Sequence, residues 1–559
     1  MDIIENLNKE QREAVEHIEG PCLVLAGAGS GKTKVLTTRI ANMINKGIYS
    51  GNILAITFTN KAAKEMRDRI SRIVSENYAF VGTFHSFGLR VIRENYELMG
   101  LSKNFTIIDS DDVASIIKKI MKELDINPKE YSVSFIRNKI SFIKNEMLSD
   151  GEIDKYLVSP PEKVAIKVYR EYEKILRRNN AVDFDDLLKR PVELLMGNED
   201  VLDKYQEKFK YILIDEYQDT NEVQYKLVKL LASKYRNLFV VGDVNQSIYG
   251  FRWSNYKNIL NFEKDYPEAV SITLNQNYRS TNTILNAANS VIKHNRERKD
   301  KNLWSNNEEG SKIKYIRSDT DKDECAYVSS EILKMKKEGI NYEDIAIIYR
   351  TNAQSRLIEE EMLKNNIPYK IVGSFYFYNR KEIKDLICYL RLIHNPKDDV
   401  SLLRIINEPK RGIGLKTLET LSQKASSESI SIYEAISTGK ELLFKGLIEE
   451  MRILSENMSL TETVDMVLDK TGIKSEYQKE KTIESDIRLE NLEEFKSITK
   501  NYEEEYGVVS LEEFLNELTL VSDKEEYADS TNKVSLMTVH AVKGLEFDNV
   551  FVVGLEEGI

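Results

Sequence analysis

The chain has 559 residues, of which 41% are hydrophobic and 31% are charged, and its formal net charge is −11. This composition is typical of a soluble globular protein, and the length predicts roughly four domain-sized units. The negative net charge argues against a protein that binds nucleic acid passively over its whole surface, but it is compatible with a local basic groove that binds nucleic acid. The charged N-terminus predicts that there is no signal peptide, and no apolar run reaches the ~18 residues that a membrane span needs. The three cysteines are far apart in the sequence and predict no disulfide framework, which is consistent with the reducing cytoplasm.

Strands and helices alternate along about the first hundred residues. PCLVLAG, NILAITFT and YAFVGTF are typical of strands, whereas KVLTTRIANMIN and NKAAKEMRDRISRIV have helical periodicity. Such alternation predicts a parallel α/β sheet. From 109 to 180 the pattern predicts charged helices, and strands return in YILIDE and NLFVVGD. We therefore predict a first α/β domain at 1–108 and 181–272, with a mainly helical insertion at 109–180.

A second α/β pattern begins near Ser271 with SITL and continues with KIKYIRS and DIAIIYRT. Long amphipathic, charged helices are predicted at 375–531, and KVSLMTVHA and NVFVVG restore the strand pattern. We predict a second sheet domain at 273–374 and 532–559, with a helical insertion at 375–531. The predicted fold class is therefore α/β, with two parallel-sheet domains that each carry a mainly helical insertion.

A glycine-rich loop stands between a predicted strand and a predicted helix in LVLAGAGSGKT. Its residues are Ala26, Gly27, Ala28, Gly29, Ser30, Gly31, Lys32 and Thr33. This is the Walker A arrangement, in which backbone N–H groups and a helix N-terminus surround phosphates. Lys32 is predicted to reach the β- and γ-phosphates of ATP, and Thr33 to bind Mg²⁺. The complete GSGKT stretch disfavours the alternative of a turn without a ligand.

Two carboxylates follow the buried strand pattern of YILIDEYQDT. The carboxyl end of a parallel strand is where α/β sheets bind ligands. Asp215 is predicted to hold Mg²⁺, and Glu216 to orient the water that attacks the phosphate. The alternative, two carboxylates that only cap a strand end, loses support because a phosphate loop occurs in the same chain.

Further motifs occur in one order along nearly the whole chain. They are LNKEQREAV, AGAGSGKT, ITFTNKAAKEM, GTFHSF, DFDDLL, LIDEYQDTN, VVGDVNQSIYGFR, LNQNYRS, YRTNAQSR, FYNRKEIKD, EPKRGIG and TVHAVKGLEF. In these motifs the sequence resembles the UvrD/Rep/PcrA-like superfamily 1 DNA helicases, whose phosphate loop also begins with alanine. The resemblance implies two RecA-like domains with ATP and Mg²⁺ between them, and single-stranded DNA lying across both.

Five further residues are predicted to contact the nucleotide. The resemblance implies that Gln11 contacts adenine, that Glu546 contacts the ribose, and that Arg279 extends from the second sheet to the transferring phosphoryl group. Tyr278 is predicted to stack on adenine, and the neutral Gln246 to sense the γ-phosphate. Taken singly, Tyr278 could be a core aromatic, Gln246 a turn residue and Glu546 a surface residue.

The DNA face needs contacts that do not read sequence, and base–aromatic stacking supplies about 1–3 kcal/mol per base. The predicted contacts are Phe58, Phe184, Tyr249, Phe251, Arg252, Trp253, Arg350, Asn352 and His540, with Lys410 and Arg411 on duplex DNA. Relatives have tryptophan at the position of Phe251 and a small residue at that of Trp253, so which ring faces DNA stays open. Any single aromatic could instead lie in the core, and EPKRGIG could be a plain turn between helices.

The resemblance implies an ATP-dependent DNA helicase or translocase that moves 3′ to 5′ on single-stranded DNA and unwinds duplex DNA in repair or replication. Two alternatives are the helicase subunit of a helicase–nuclease complex and a nucleotide-gated DNA-binding module without turnover. Relatives have a later motif that supplies a second arginine to the γ-phosphate. We therefore expect this chain to be part of a longer helicase and to hydrolyse ATP slowly by itself. We predict a cytoplasmic monomer that can oligomerise on DNA, with repair or replication proteins as partners and no membrane contact.

Overall fold

A computed structural model describes residues 3–75, 77–250, 253–295, 302–372, 376–521 and 532–557. Phe251 and Arg252, two of the predicted DNA contacts, lie outside these ranges. Within the described ranges, no helix is both long and apolar enough to cross a membrane. The strands and helices form two main parallel sheets, a two-stranded parallel ribbon and two mainly helical segments, so the predicted fold class is confirmed.

The strands are short, as is usual for parallel sheets. In chain order they are β1 (Cys22–Ala26), β2 (Ile53–Thr57), β3 (Phe80–Thr83), β4 (Thr106–Ile107), β5 (Ala181–Val182), β6 (Tyr211–Ile214), β7 (Asn237–Gly242), β8 (Val270–Leu274), β9 (Ile345–Tyr349), β10 (Tyr369–Ile371), β11 (Val534–Thr538) and β12 (Asn549–Val552). The first sheet has the order β3-β2-β6-β7-β1-β8, and the second has the order β10-β11-β9-β12.

The helices as far as residue 292 include those that cover the first sheet and those of its insertion. They are α1 (Lys9–Glu16), α2 (Lys32–Asn45), α3 (Asn60–Ser71), α4 (Phe84–Asn95), α5 (Ser110–Glu123), α6 (Val133–Asn145), α7 (Asp150–Tyr156), α8 (Pro160–Arg178), α9 (Asp186–Gly197), α10 (Glu199–Lys208), α11 (Glu222–Ala232), α12 (Lys257–Leu260), α13 (Phe262–Asp265) and α14 (Asn282–Ile292). Every residue of β1 and β2 is buried, because helices cover both faces of the sheet.

Helices also accompany the second sheet and its insertion. They are α15 (Asp321–Lys337), α16 (Ser355–Lys364), α17 (Tyr376–Asn379), α18 (Lys381–His394), α19 (Asp399–Ile405), α20 (Leu415–Glu428), α21 (Ile432–Ala435), α22 (Gly439–Ser455), α23 (Leu460–Thr471), α24 (Ile473–Glu480), α25 (Ile483–Tyr506) and α26 (Leu511–Val521). From α18 onward these helices share one apolar core, which includes Tyr389, Phe444 and Phe495.

Two strand predictions were wrong. SITL, assigned to the second sheet, lies in β8, which pairs in parallel with β1 as the edge strand of the first sheet. The apolar side of β8, at Ile272 and Leu274, packs into the core of the first sheet, and sequence periodicity does not specify this partner.

KIKYIRS forms no strand in the described structure, because no neighbouring strand pairs with it; Ile313 and Tyr315 are exposed. The short β10 was not predicted.

A two-stranded parallel ribbon closes the base of the first helical segment. Its strands are β4 and β5, in which Thr106 faces Ala181 and Ile107 faces Val182. Helices α5, α6 and α8 pack together above this ribbon. The predicted insertion at 109–180 lies between the two strands, so its ends are held side by side by backbone hydrogen bonds.

A fully buried lysine joins this insertion to the first sheet domain. Lys144, near the end of α6, is 0% exposed. Its Nζ lies 2.7 Å from Asp183 Oδ2, 2.9 Å from Asp186 Oδ1 and 2.9 Å from Glu173 Oε1. Burial alone would lower the pKa of Lys144, but these carboxylates outweigh burial and raise it. The cation is therefore held by the DFDDLL stretch at the start of α9.

Buried ion pairs connect the second insertion to the first. Arg391 Nη1, on α18, lies 2.6 Å from Asp112 Oδ2, and Lys384 Nζ lies 2.5 Å from Asp109 Oδ2. Asp109 caps the N-terminus of α5. Since buried pairs depend on close geometry, these contacts hold α18 against the N-terminal end of α5 in this structure.

Candidate nucleotide site and nucleic-acid face

The phosphate loop lies between β1 and α2 and contains two residues in left-handed conformations. Gly29 has φ +65° and Gly31 has φ +85°. A Cβ at Gly31 would lie 2.9 Å from Gln11 Nε2, so the loop passes close to α1. Gly31 is also the N-cap of α2 and supplies no side chain there. Among the described residues, no side chain caps the first N–H groups of α2, and uncapped N–H groups at a helix N-terminus suit a phosphate.

The other residues of the loop divide between strand, turn and helix. Ala26 is the last residue of β1 and is fully buried. Ser30 is buried, and its hydroxyl donates to the carbonyl of Gly27 at 2.8 Å, which closes the turn around Ala28. Thr33 lies in the first turn of α2. Backbone groups of the loop are thus the main candidates for phosphate contact.

Lys32 contacts two of the other predicted catalytic residues. Its Nζ lies 2.9 Å from Glu216 Oε1 and donates to Gln246 Oε1 at 3.2 Å. Burial alone would lower the pKa of Lys32, but Glu216 and Asp215 outweigh it and raise the pKa above the usual value. The structure therefore brings together the ends of β1, β6 and β7 around one cation.

The pKa values of the two carboxyl groups after β6 are shifted in opposite directions. Burial, with Glu216 next to it, raises the pKa of Asp215 to about 7. Burial would also raise the pKa of Glu216, but Lys32 and Lys543 lower it to about 2. Glu216 has φ +50°, and its backbone N–H donates to Asp215 Oδ1 at 2.9 Å. A buried carboxylate at Asp215 and the Thr33 hydroxyl fit Mg²⁺, which typically takes few protein ligands besides phosphate and water.

Gln11 and Tyr278 lie on one side of the phosphate loop. Gln11 is 1% exposed, and its Nε2 donates to the carbonyl of Ser30 at 2.9 Å. Asn8, which caps α1, donates from Nδ2 to the Tyr278 hydroxyl at 2.9 Å. Tyr278 is 49% exposed, and an exposed ring is suited to stacking on a flat base. The Gln11 amide is bonded within the protein at both ends, because its Oε1 also accepts from the backbone N–H of Asn8 at 3.2 Å.

Arg279 does not extend from the second sheet, so that prediction was wrong. It follows β8, whose hydrogen bonds place it in the first sheet. Its partner is in the second sheet domain: Arg279 Nε lies 2.6 Å from Glu546 Oε2, and both side chains are exposed. This ion pair crosses between the segments that follow β8 and β11.

The aromatic residues predicted for DNA lie near the ends of the strands. Phe58 follows β2 and packs edge-on against Phe84, with ring centroids 5.6 Å apart. Phe184 follows β5, and its ring centroid is 4.8 Å from that of His85. Both Phe58 and Phe184 are half-buried, so each keeps one part of its ring accessible.

Tyr249 and Trp253 flank the two residues that are not described. The Tyr249 hydroxyl donates to the carbonyl of His540 at 3.4 Å, and Lys543 Nζ is 5.2 Å from the Tyr249 ring centroid. Trp253 has φ +65°, and its ring centroid lies 5.0 Å from that of Phe142 in α6. Tyr249 therefore reaches the second sheet domain, whereas Trp253 reaches the first insertion.

Polar groups lie at the carboxyl ends of two strands in the second sheet. Arg350 follows β9 and His540 follows β11, and Arg350 Nη1 is 3.3 Å from His540 Nδ1. Arg350 and Asn352 are exposed. Because β9 and β11 are neighbours in a parallel sheet, Arg350 and His540 meet at the same sheet edge.

The EPKRGIG turn directs its two cations differently. Lys410 is exposed. Arg411 points inward: it donates from Nη2 to the Tyr389 hydroxyl at 2.7 Å and from Nη1 to the carbonyls of Ile405 and Pro409 at 3.2 and 3.1 Å. In this arrangement the Arg411 side chain stabilises the turn, and Lys410 is the cation available to a phosphate.

Comparison with known proteins covers the chain in two parts. The model of the UvrD/REP helicase N-terminal domain matches residues 7–267, and that of the UvrD-like helicase C-terminal domain matches residues 272–559. The chain belongs to the UvrD/Rep helicase family. This helicase is 48% identical to the ATP-dependent DNA helicase PcrA of Staphylococcus aureus and to that of Staphylococcus epidermidis. Each alignment of 573 residues covers 100% of this chain and 78% of the relative.

Sequence reasoning missed one contact that links the two sheet domains of this helicase. Lys543, in the KGLEF stretch, forms an ion pair with Asp219 and donates to the carbonyl of Gln246 at 2.9 Å. It also lies 3.8 Å from Glu216 Oε2. Burial raises the pKa of Asp219 to about 6, although Lys543 opposes this shift. Lys543 and Asp219 are 324 positions apart, and nothing in either local pattern identifies the other.

Proposed function

We propose that this chain is an ATP-dependent DNA helicase that moves 3′ to 5′ along single-stranded DNA and unwinds the duplex ahead of it. The observation that supports coupling of ATP to movement most directly is the contact of Lys543, from the second sheet domain, with Asp219 and Gln246 of the first. The proposed 3′-to-5′ direction rests on the resemblance to the helicase family. ATP would bind at this junction, beside the phosphate loop. A ligand that contacts both sheet domains can change their separation as it binds and leaves.

In the proposed phosphoryl transfer, Lys32 contacts the β- and γ-phosphates and Arg279 contacts the γ-phosphate. Both cations would neutralise charge that develops on the transferring group. The γ-phosphate would draw Lys32 away from Glu216, which then orients the attacking water and accepts its proton. Mg²⁺ held by Asp215 and Thr33 would supply further neutralisation at the phosphate oxygens.

The remaining nucleotide contacts follow from the same loops. We propose that Gln11 and Tyr278 hold adenine and that Glu546 contacts the ribose once Arg279 has turned to the phosphate. Gln246 would then lose its bond from Lys32 and report the γ-phosphate to Tyr249, three residues later. We expect the nucleotide to change the DNA contacts through this rearrangement of Gln246 and Tyr249 after β7.

We propose that single-stranded DNA crosses the strand ends of both sheets. The proposed contacts are Phe58, Phe184, Tyr249, Trp253, Arg350, Asn352 and His540, with Lys410 on duplex DNA. Phe251 and Arg252 stay predictions from the sequence, and Arg411 would reach a phosphate only by exchanging its bonds within the turn. Stacking and phosphate contacts of this kind bind DNA without regard to its sequence.

An unwinding assay tests the direction of movement. Duplexes with a 3′ or a 5′ single-stranded tail are mixed with the chain, Mg²⁺ and ATP, and strand release is measured. We expect release from 3′-tailed duplexes only. Release from 5′-tailed duplexes alone would contradict the proposed polarity, and a blunt duplex is the control for loading on ends.

Removing Lys543 is expected to weaken the link between the sheet domains. Lys543→Ala leaves Asp219 buried without its cation, and truncating one partner of such a pair typically costs several kcal/mol. We expect DNA-stimulated ATP hydrolysis to fall by about 10- to 100-fold, whereas ATP still binds at the phosphate loop. Phosphate release and binding of a fluorescent ATP measure the two effects.

Lys314→Ala is the matched control for Lys543→Ala. Lys314 pairs with Glu331 at the surface of the second sheet domain, where Lys314 is 67% exposed. Such surface pairs contribute about 0–1 kcal/mol, so this variant should keep nearly the full rate. Equal rates for the two variants would exclude a special role for Lys543.

DNA-stimulated phosphate release also separates the proposal from a nucleotide-gated binding module, which would show none. The same rate tests the expectation of slow hydrolysis. A role in repair or replication, protein partners, a monomeric state with oligomers on DNA, and a cytoplasmic location stay predictions. A helicase–nuclease complex stays an alternative prediction.

A further inference from the structure

A buried asparagine joins the phosphate loop to the loop that carries Arg279. Asn277 is 2% exposed. Its Nδ2 donates to the carbonyl of Ala28 at 2.6 Å. Its Oδ1 accepts from the backbone N–H of Arg279 at 2.9 Å and from that of Ser280 at 2.8 Å. The side-chain amide of Asn277 therefore donates to the phosphate loop through its nitrogen and accepts from the loop of Arg279 through its oxygen.

The two loops are also in close backbone contact. The N–H of Tyr278 donates to the carbonyl of Gly29 at 2.9 Å. A Cβ at Gly29 would lie 2.6 Å from Asn277 Nδ2 and 2.8 Å from Arg279 Cβ. Because Gly29 has no side chain, Asn277 and Arg279 can approach the phosphate loop this closely. The position of Arg279 therefore depends on the conformation of the loop at 28–29.

A third segment holds Asn277 from its other side. The N–H of Asn277 donates to the carbonyl of Trp304 at 2.8 Å. The adjacent Leu303 packs on the phosphate loop, since a Cβ at Gly27 would lie 2.3 Å from Leu303 Cδ2. The backbone of Asn277 is thus anchored while its amide bonds at both ends. The amide of Asn277 is therefore a direct side-chain link between the phosphate loop and the turn at 279–280.

We propose that Asn277 is a positioning residue that couples the phosphate loop to Arg279 and thereby sets how strongly this chain prefers a nucleoside triphosphate to a diphosphate. The inference rests on the proposed function, in which Arg279 contacts the γ-phosphate. When bound phosphates fix the conformation of the loop at 28–29, the hydrogen bonds of the Asn277 amide fix the position of the turn at 279–280 as well. Asn277 itself contacts no phosphate and acts only through Arg279.

The test compares dissociation constants for ADP and for a non-hydrolysable ATP analogue, each with Mg²⁺. Asn277→Ala removes all three side-chain hydrogen bonds. Asn277→Ser keeps an oxygen that can accept from the turn, but it is too short to reach Ala28. Loss of the coupling should reduce the preference for the triphosphate by about tenfold in both variants, as expected when a buried carbonyl loses its donor. An unchanged preference in both variants would overturn the proposal.

Asn52→Ala is the matched control. Asn52 also donates from its amide to a neighbouring segment, at the carbonyl of Lys208 and a distance of 2.8 Å, but it precedes β2 and lies at the sheet edge opposite the phosphate loop. The triphosphate preference of this variant should equal that of the parent chain. Melting temperatures of all variants report folding, and Asn277→Ser carries the test if Asn277→Ala does not fold.

A double-mutant cycle with Arg279→Ala separates positioning from a general structural role. If Asn277 acts through Arg279, Asn277→Ser has no further effect on the preference once Arg279 is alanine. An equal loss in both backgrounds would overturn the inference and leave the proposed function intact. If Arg279→Ala alone leaves the preference unchanged, the proposed role of Arg279 fails, and the inference fails with it.

Discussion

Lys32→Ala is expected to lower DNA-stimulated ATP hydrolysis by about 100- to 1,000-fold, the size of effect seen when one donor to a transition-state oxyanion is removed. The segments that follow β1, β6 and β7 come together around the Lys32 side chain, whose Nζ lies 2.9 Å from Glu216 Oε1. Without it, the β- and γ-phosphates lose their nearest positive side chain. Glu216 then keeps Lys543, at 3.8 Å, as a cation nearby. Phosphate release with and without single-stranded DNA measures the change.

Lys34→Ala is the matched control for this prediction. Lys34 lies two residues further along α2, is exposed, and donates to the carbonyl of Asn6 at 2.8 Å. Lys34→Ala removes a cation from α2, as Lys32→Ala does, but it leaves the phosphate site unchanged. We expect a rate close to that of the parent chain. A Lys32→Ala variant that keeps more than about a tenth of the parent rate would contradict the proposed site.

Lys144→Met is expected to lower the free energy of unfolding by about 3–5 kcal/mol, because it leaves buried carboxylates without their cation. Asp183, Asp186 and Glu173 all lie within 2.9 Å of Lys144 Nζ. Methionine fills a similar volume, so the loss is electrostatic and not a cavity effect. Denaturant unfolding, followed by circular dichroism, measures it. Adding Asp183→Asn should recover part of the loss, because one uncompensated charge disappears.

Lys139→Met provides the comparison on the same helix. Lys139 Nζ lies 2.8 Å from Glu162 Oε1, but its side chain is 26% exposed. Water already screens this pair, so we expect a loss of at most about 1 kcal/mol. If Lys139→Met and Lys144→Met destabilise the chain equally, burial of the Lys144 cluster does not strengthen its ion pairs.

The Lys144 cluster also has a functional neighbour. Asn145 donates from Nδ2 to Asp185 Oδ1 at 2.8 Å and accepts from Asn221 Nδ2 at 2.7 Å. Asn221 caps α11, which begins six residues after Glu216. A chain of polar contacts therefore runs from Asn221, at the start of α11, through Asn145 to Asp185, which is next to Phe184. Networks of this kind hold their members in one arrangement when every polar group is bonded.

The local features of this protein were readable from its sequence. The strand and helix of the phosphate loop and the strand before Asp215 and Glu216 were predicted correctly. Each is specified by interactions between residues a few positions apart, namely periodic burial, glycine conformations and helix capping. For the same reason, the helical character of the second insertion followed from its periodicity.

Only the tertiary structure decided which segments meet. β8 joined the first sheet, KIKYIRS found no partner strand, Arg411 turned inward, and Lys543 reached Asp219 from 324 positions away. The link at Asn277 was equally hidden, since an asparagine after a strand is usually an ordinary turn residue. Such contacts depend on how whole sheets and insertions pack, and a short sequence window carries no information about a partner that lies outside it. The sequence by itself determined the strand and helix around the phosphate loop and the strand before the two carboxylates, whereas packing determined which distant residues these segments contact.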